Sequence, residues 1–367
     1  MTGSTIIRTA CDSRLTAEMD SIQSDRTAGI KIVGHTCHAF PAAVIAGLGM
    51  RPIRVICGAS SDAESDGERI VRPDICPLVK TLLGNVSKKR GPHGKIDIWI
   101  GLFTCDAMRR GMDTLAGTLG QNVHPVQLPA TRTRSSADYY ADQIQRIAAE
   151  LEIRHAVRFD PARAATWQRD SDAAAGVLAR AARSGRVSPL DLHSMFHLFF
   201  VARPQGLAGF FEDLLAKSPV FESRKTILLT GSPLAYEDTV LLEDLEARGY
   251  AVLPLNCTGL SAVENGTPHE TQDDLVKNLT LRSFHQPPCA RSRPNRAVYD
   301  RIAETIKDSK PAGLVVKCLK FCDHWYAERE RMRKNFDLPV LVFDSDYAEG
   351  GRERLLSRID AFVEMME

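Results

Sequence analysis

The chain has 367 residues, 44% hydrophobic and 25% charged, ordinary values for a globular protein of two or three domains that argue against long disorder. Lys and Arg total 47 and Asp and Glu 46, so a formal net charge of +1 gives no support to nucleic-acid or membrane-surface binding. No apolar run of about 18 residues is present, and the stretch before Ile30 is polar, so the sequence predicts neither a membrane span nor a secretory signal.

In chain order, the Val- and Ile-rich runs Ile30–Val33, Ile53–Ile56, Ile96–Leu102 and Val123–Leu128 predict buried strands of a parallel sheet. Helical patterns fall between them at Pro41–Leu48 and Asp106–Leu119. Strand alternating with helix predicts a doubly wound α/β unit. From about Thr133 to Lys217 the chain is rich in Ala, Arg, Gln, Leu and Asp, with helical spacing in Ser136–Leu151 and Asp170–Ser184 and punctuation at Pro161, Pro189 and Pro204. Strands return at Thr226–Thr230, Ala251–Leu255, Gly313–Cys318 and Pro339–Phe343, separated by helical patterns at Tyr236–Arg248, Ala297–Ile306 and Leu355–Met366. The reading is therefore α/β: an N-terminal α/β domain over 1–132, a helical subdomain over 133–222 and a C-terminal α/β domain over 223–367.

Nine cysteines stand beside only three tryptophans. A chain this long needs no disulfide staples, so the cysteines predict a reducing, cytoplasmic setting and a metal or catalytic use. Cys76 precedes Pro77, a residue favoured at the first helical position, which predicts Cys76 as a helix N-cap. Cys37, Cys105, Cys257 and Cys322 each follow a predicted strand. In doubly wound sheets the carboxyl ends of strands line the ligand crevice, so cysteines from distant segments can converge there. Only Cys318 and Cys322 are close enough for a zinc-type pair, whereas iron–sulfur clusters gather thiolates from scattered loops. Cys11, in a polar N-terminal stretch, and Cys57 and Cys318, in or beside strands, read as small packing residues.

Several short segments carry a resemblance. They are Gly34-His35-Thr36-Cys37 with Pro41 and Ala46-Gly47-Leu48-Gly49; Cys76-Pro77-Leu78-Val79-Lys80; Thr104-Cys105-Asp106; Thr230-Gly231-Ser232-Pro233-Leu234; Asn256-Cys257-Thr258-Gly259; Lys320-Phe321-Cys322-Asp323; and Asp344-Ser345-Asp346-Tyr347 with Arg358-Ile359-Asp360-Ala361-Phe362. In this order the chain resembles the 2-hydroxyacyl-CoA dehydratase and benzoyl-CoA reductase superfamily, including its double-cubane cluster proteins. The resemblance implies two flavodoxin-like doubly wound parallel-sheet domains with a helical part between them. It implies a 4Fe–4S cluster on the positions of Cys76, Cys105 and Cys322. In the double-cubane relatives three further positions, here Cys37, Cys257 and Cys289, extend the site to an 8Fe–9S double cubane. All six are cysteine in this chain, which favours the double-cubane reading.

The same resemblance implies an iron–sulfur reductase or dehydratase that works anaerobically with an ATP-dependent iron–sulfur activator protein. It implies a homodimer or a paralogous partner subunit, and a small-molecule or acyl-CoA substrate. Two readings stand beside the enzyme: a subunit of a dehydratase or reductase, and a non-catalytic electron-transfer or cluster-carrying partner. Two departures matter. Relatives commonly carry acidic residues where this chain has Ala42-Ala43, which weakens an acyl-CoA chemistry that uses a carboxylate there. Many carry Cys in place of Ser232, which reads here as a helix N-cap before Pro233.

No catalytic residue is assigned; His35 and His38, flanking Cys37, are the candidate proton donors or cluster-tuning groups. His324 lies two residues after Cys322 and is a weaker candidate of the same kind. His193 and His197 share a helix face and read as packing. Lys80, Lys317 and Lys320 could balance a negative cluster but read more simply as solvated surface lysines.

Overall fold

The computed structural model describes residues 6–264, 274–347 and 351–366. All eight predicted strands are present: β1 Ile32–His35, β2 Arg51–Arg54, β3 Ile98–Phe103, β4 Val123–Gln127, β5 Lys225–Gly231, β6 Tyr250–Pro254, β7 Gly313–Leu319 and β8 Val340–Ser345. They form two parallel four-stranded sheets, ordered β2-β1-β3-β4 and β6-β5-β7-β8. The second sheet thus repeats the order of the first. In both, the first strand in sequence pairs with the second on one side and the third on the other. The α/β reading with two parallel-sheet units is what the chain adopts.

The shifts at strand ends have local causes. Ile30 is taken up by the end of the preceding helix, where its N–H reaches the Asp25 carbonyl at 2.9 Å and Gly29 turns the chain at φ +84. So β1 begins at Ile32. β2 begins at Arg51, ahead of its apolar run, because that arginine is buried and paired rather than solvated.

That pairing also explains a helix the sequence reading lacked. Ile6–Thr27 is a 22-residue helix made from the polar N-terminal stretch. Its Ile7, Cys11 and Ile22 are buried. Its Glu18 and Asp25 carboxylates lie 2.5 and 2.8 Å from the Arg51 guanidinium, and Arg203 closes on Asp25 at 2.5 Å. Packing against the helix Pro189–Val201 supplies the apolar contact that this weakly amphipathic segment could not find alone.

The middle of the chain is helical: Arg134–His155, Pro161–Ser184, Pro189–Val201 and Leu207–Lys217. Three of these start on side-chain caps, with Thr133, Asp160 and Ser188 accepting from backbone N–H groups of the first turn. Pro161 and Pro189 occupy the position just inside the helix start. One apolar core runs from Ile32 and Trp99 of the first sheet through Leu178 and Phe196 of these helices to Leu228 and Leu314 of the second. Separate clusters cover the other face of each sheet. Among the described residues no helix is long and apolar enough to cross a membrane.

Arg51 is the fully buried cation between Glu18 and Asp25, and its removal leaves them only the more exposed Arg14 and Arg203. Arg51→Leu is expected to cost about 3–5 kcal/mol of stability, read as a lower urea midpoint with unchanged slope. A midpoint within experimental error of the parent would show that the cluster does not anchor the N-terminal helix.

Candidate functional site

The carboxyl ends of strands from both sheets face one cavity of about 160 Å³. Cys37, Cys76, Cys105, Cys257, Cys289 and Cys322 all line it, so the structure brings together every cysteine singled out as a candidate ligand. Cys11 and Cys318 are buried in the core, and the Cys318 thiol donates to the Trp325 carbonyl at 3.7 Å. Cys57 is not among the residues that line the cavity.

Three of the six cap helices. Cys76 is the N-cap of Pro77–Ser87, as Pro77 foretells. Cys105 is the N-cap of Asp106–Gly117, and its Sγ accepts from the Met108 N–H at 3.4 Å. Cys322 is the N-cap of Asp323–Asn335. Cys105 and Cys322 hold equivalent places, each opening the helix after the third strand of its sheet. A helix start offers unpaired N–H groups and the positive end of the dipole, which favour sulfur carrying negative charge. The other three lie on loops. Cys37 follows β1, Cys257 follows β6, and Cys289 sits in a segment tied back to the end of β4 by the Arg293 N–H to the Ala130 carbonyl at 2.8 Å.

The thiols act on one another in two groups. Cys76 feels Cys322 and Cys105, and Cys105 feels Cys322. Cys257 feels Cys37 and Cys289, and Cys37 feels Cys289. Burial, aided by the neighbouring thiols, pushes Cys76 up to about 12. Burial pushes Cys257 up to about 11, although the Arg54 charge pulls it down. Thiols held this way keep their protons at neutral pH until a bound metal displaces them.

Among the described residues no three His, Cys, Asp or Glu side chains converge closely enough to hold a single metal ion. A polynuclear group does not need that convergence, because its thiolates bind separate metal atoms. The remaining lining suits such a group as well. Among the described residues no carboxylate lines the cavity, whereas the guanidinium groups of Arg54, Arg291 and Arg301 do. An anionic iron–sulfur cluster fits this donor set, with thiolates for ligands, helix starts and guanidinium groups for charge, and apolar walls against water.

The sequence reading missed these arginines. Arg54 ends β2, where a charged residue in an otherwise buried strand was the available signal. Arg291 lies two residues after Cys289 in a loop that shows no pattern.

Of the histidine candidates, His38 lines the cysteine cavity and its buried Nδ1 has no hydrogen-bond partner. His35 turns away: its Nδ1 lies 2.9 Å from the Cys37 carbonyl and its ring packs on Phe40. Burial, then the Arg54 charge, holds His35 down at about 3. His324 lines the cavity beside Trp325, and burial lowers it too. His193 and His197 are core groups, with rings 4.4 Å apart and His193 Nε2 lying 3.0 Å from the Tyr236 carbonyl. The packing reading of that pair is correct.

Two expectations need correction. Lys80 and Lys317 are not surface lysines: both are buried, Lys80 between Glu64 at 2.6 Å and Glu68 at 2.8 Å, and Lys317 against Asp238. Burial lowers Lys317 to about 7. Only Lys320 is exposed, on Asp346. Ser232 is not a helix N-cap, because the next helix starts eight residues later at Val240. Gly231 takes φ +112 beneath the Lys317 backbone, and Ser232 is thereby buried with its hydroxyl accepting the Leu319 N–H at 3.0 Å. That hydroxyl also hydrogen-bonds Cys322. Its purpose is to join β5 to the cysteine loop after β7.

A second cavity, of about 120 Å³, adjoins the first and shares His38 and Arg54 with it. Ala42 and Ala43 are in its wall, as are Trp167, Asp172, Phe199 and Gln286.

These features define a class: a parallel α/β protein of two repeated units that meet over a cavity lined by six cysteines. The family described as 2-hydroxyglutaryl-CoA dehydratase, D-component, matches residues 37–366, and the chain belongs to it. A protein of Escherichia coli (strain K12) described as "Putative dehydratase subunit YjiM" is 22% identical over 360 residues, covering 92% of each chain.

Burial also sets the acid response of the scaffold. It holds His93 and His193 each down at about 4, while the unfolded chain takes up those protons near the ordinary histidine value. Their contribution is therefore complete above about pH 6.5 and lost as the pH falls toward 4. Urea unfolding at pH 7, 6 and 5 is expected to show stability falling, with a slope approaching about 3 kcal/mol per pH unit from the two together. Equal stability at pH 7 and pH 5 would contradict neutral burial.

Proposed function

We propose that the chain is an iron–sulfur enzyme of low-potential electron transfer, in which all six cavity cysteines hold the cofactor. The observation that carries this reading is the pair of thiol trios around one carboxylate-free cavity at facing strand ends. Cys76, Cys105 and Cys322 bind a 4Fe–4S cluster, and Cys37, Cys257 and Cys289 extend it to an 8Fe–9S double cubane. When bound, such a group supplies single electrons at low potential. The protein's part is to exclude water with Leu78, Leu319 and Trp325, to hydrogen-bond the Cys322 and Cys105 sulfurs through Ser232 and the Met108 N–H, and to offset negative charge with arginine. Electrons come from an ATP-dependent iron–sulfur activator, and the chain works as a dimer with itself or with a paralogue.

The substrate on this reading is a small molecule that is reduced. The adjoining cavity is small, and its wall has alanines at Ala42 and Ala43. A second reading, a subunit of a 2-hydroxyacyl-CoA dehydratase, is favoured by the family description and by the printed name of the Escherichia coli relative. Turnover separates the two: with activator and ATP, the first expects reduction of small molecules without loss of water from a 2-hydroxyacyl thioester, and the second expects the reverse.

Anaerobic purification with iron and sulfide analysis tests the cofactor. About eight iron atoms per chain are expected, falling to about four if Cys37, Cys257 or Cys289 is replaced by Ala and the core cubane remains. Cys76→Ala, Cys105→Ala or Cys322→Ala should strip the core trio of its iron. Full iron retention in those variants, or parent protein that folds and never holds iron, would overturn the proposal.

A further inference from the structure

The two thiol trios face different kinds of positive charge. The Cys76, Cys105 and Cys322 trio sits on three helix starts, which offer partial charges. The other trio faces whole charges. Arg54 is 5% exposed and lines the cavity. Its guanidinium donates to the Thr36 carbonyl at 3.2 Å and to the Cys257 carbonyl at 2.7 Å, and lies over the Phe200 ring at 4.5 Å. It thus clamps the Cys37 loop of the first unit to the Cys257 loop of the second. Arg291 is 8% exposed, also lines the cavity, and donates to the Pro129 carbonyl at 2.8 Å. Behind it, Arg132 lies within electrostatic reach of both Arg291 and Cys289.

What these arginines lack is a counter-ion. Arg301, the third guanidinium in the cavity wall, is paired with Glu264. Among the described residues neither Arg54 nor Arg291 has a carboxylate within ion-pair distance: both donate to carbonyl oxygens, and Arg54 also to the Cys257 sulfur. A buried cation without an anion is costly, and natural proteins retain one where an anion binds or forms. Both charges act on Cys37, and Arg54 acts on Cys257 as well.

We infer that Arg54 and Arg291 make the Cys37–Cys257–Cys289 end of the cavity the anion-stabilising end, where added negative charge is held preferentially over the Cys76–Cys105–Cys322 end. An electron delivered by the activator adds one negative charge and no proton, and the two unpaired guanidinium groups lower its energy at that end. The consequence for electrons rests on the iron–sulfur reading; the local positive potential does not. Arg54 and Arg291 are positioning residues in this scheme, since they act through the charge at the sulfurs.

Charge-selective alkylation of the full-length, cluster-free chain reads the potential directly. The same thiolate displaces iodide from anionic iodoacetate and from neutral iodoacetamide, so their rate ratio at each cysteine cancels the thiol's own protonation. In Arg54→Gln or Arg291→Gln the ratio is expected to fall about tenfold at Cys37, Cys257 and Cys289, the effect of one unit charge over roughly 12 Å at an effective dielectric constant of about 20. It should fall distinctly less at Cys76, Cys105 and Cys322, which stand farther from both guanidinium groups, and Arg54→Lys should restore it. In the iron-loaded protein the Gln variants are expected to shift the reduction midpoint to more negative potential at unchanged iron content, with the Lys variant near the parent. An unchanged ratio in both Gln variants, an equal fall at all six cysteines, or failure of Arg54→Lys to rescue would overturn the inference. Parent protein that never holds iron would end the iron–sulfur reading and leave the alkylation result to judge this one.

Discussion

Six partly buried thiols line one cavity between the carboxyl ends of two parallel sheets, and the desolvation there dictates what surrounds them. A buried thiol resists losing its proton, so a site that uses thiolates must supply positive charge from the protein, the cofactor or both. The chain supplies it in two forms. Helix starts at Cys76, Cys105 and Cys322 aim N–H groups at the sulfurs, and guanidinium groups stand beside Cys37, Cys257 and Cys289. Carboxylates are kept out of the lining, although Asp and Glu are nearly as numerous as Lys and Arg in the chain.

The rest of the fold keeps those ends facing. Each sheet has the same strand order, so both present the third strand and its following helix to the cavity, and Cys105 and Cys322 fall in matching places. Two contacts beside the cysteines hold the ends in place, the first across the halves and the second within the C-terminal one. Arg54 joins the loops after β1 and β6, and Ser232 joins β5 to the loop after β7. Gly231 permits the second contact, because a side chain there would meet the Lys317 carbonyl. The long middle helices and the N-terminal helix carry one apolar core between the sheets, so the cavity walls are braced from behind.

Family membership and site geometry bear on function at different levels. Membership in the 2-hydroxyglutaryl-CoA dehydratase D-component family gives the kind of scaffold and the expectation of a partner protein. The site adds local features of its own, among them a small second cavity that shares His38 and Arg54 with the first and has Ala42 and Ala43 in its wall.

Strands and cysteine-bearing helix starts were legible in the sequence because both are local. A run such as Ile96–Leu102 can satisfy its pattern only inside a sheet, and Cys76 before Pro77 can sit only at a helix start. The N-terminal helix was not legible, since its stability comes from Arg51 and from the helix Pro189–Val201, far along the chain. Nor was the burial of Lys80 and Lys317, whose partners Glu64, Glu68 and Asp238 are set by packing. By itself the sequence determined which cysteines stand at strand ends and that two α/β units follow one another. Only the tertiary structure decided that all six thiols line one cavity and which arginines there go without a carboxylate. Those depend on contacts between residues as far apart as Arg54 and Cys257, separated by 203 positions, and no local pattern encodes such contacts.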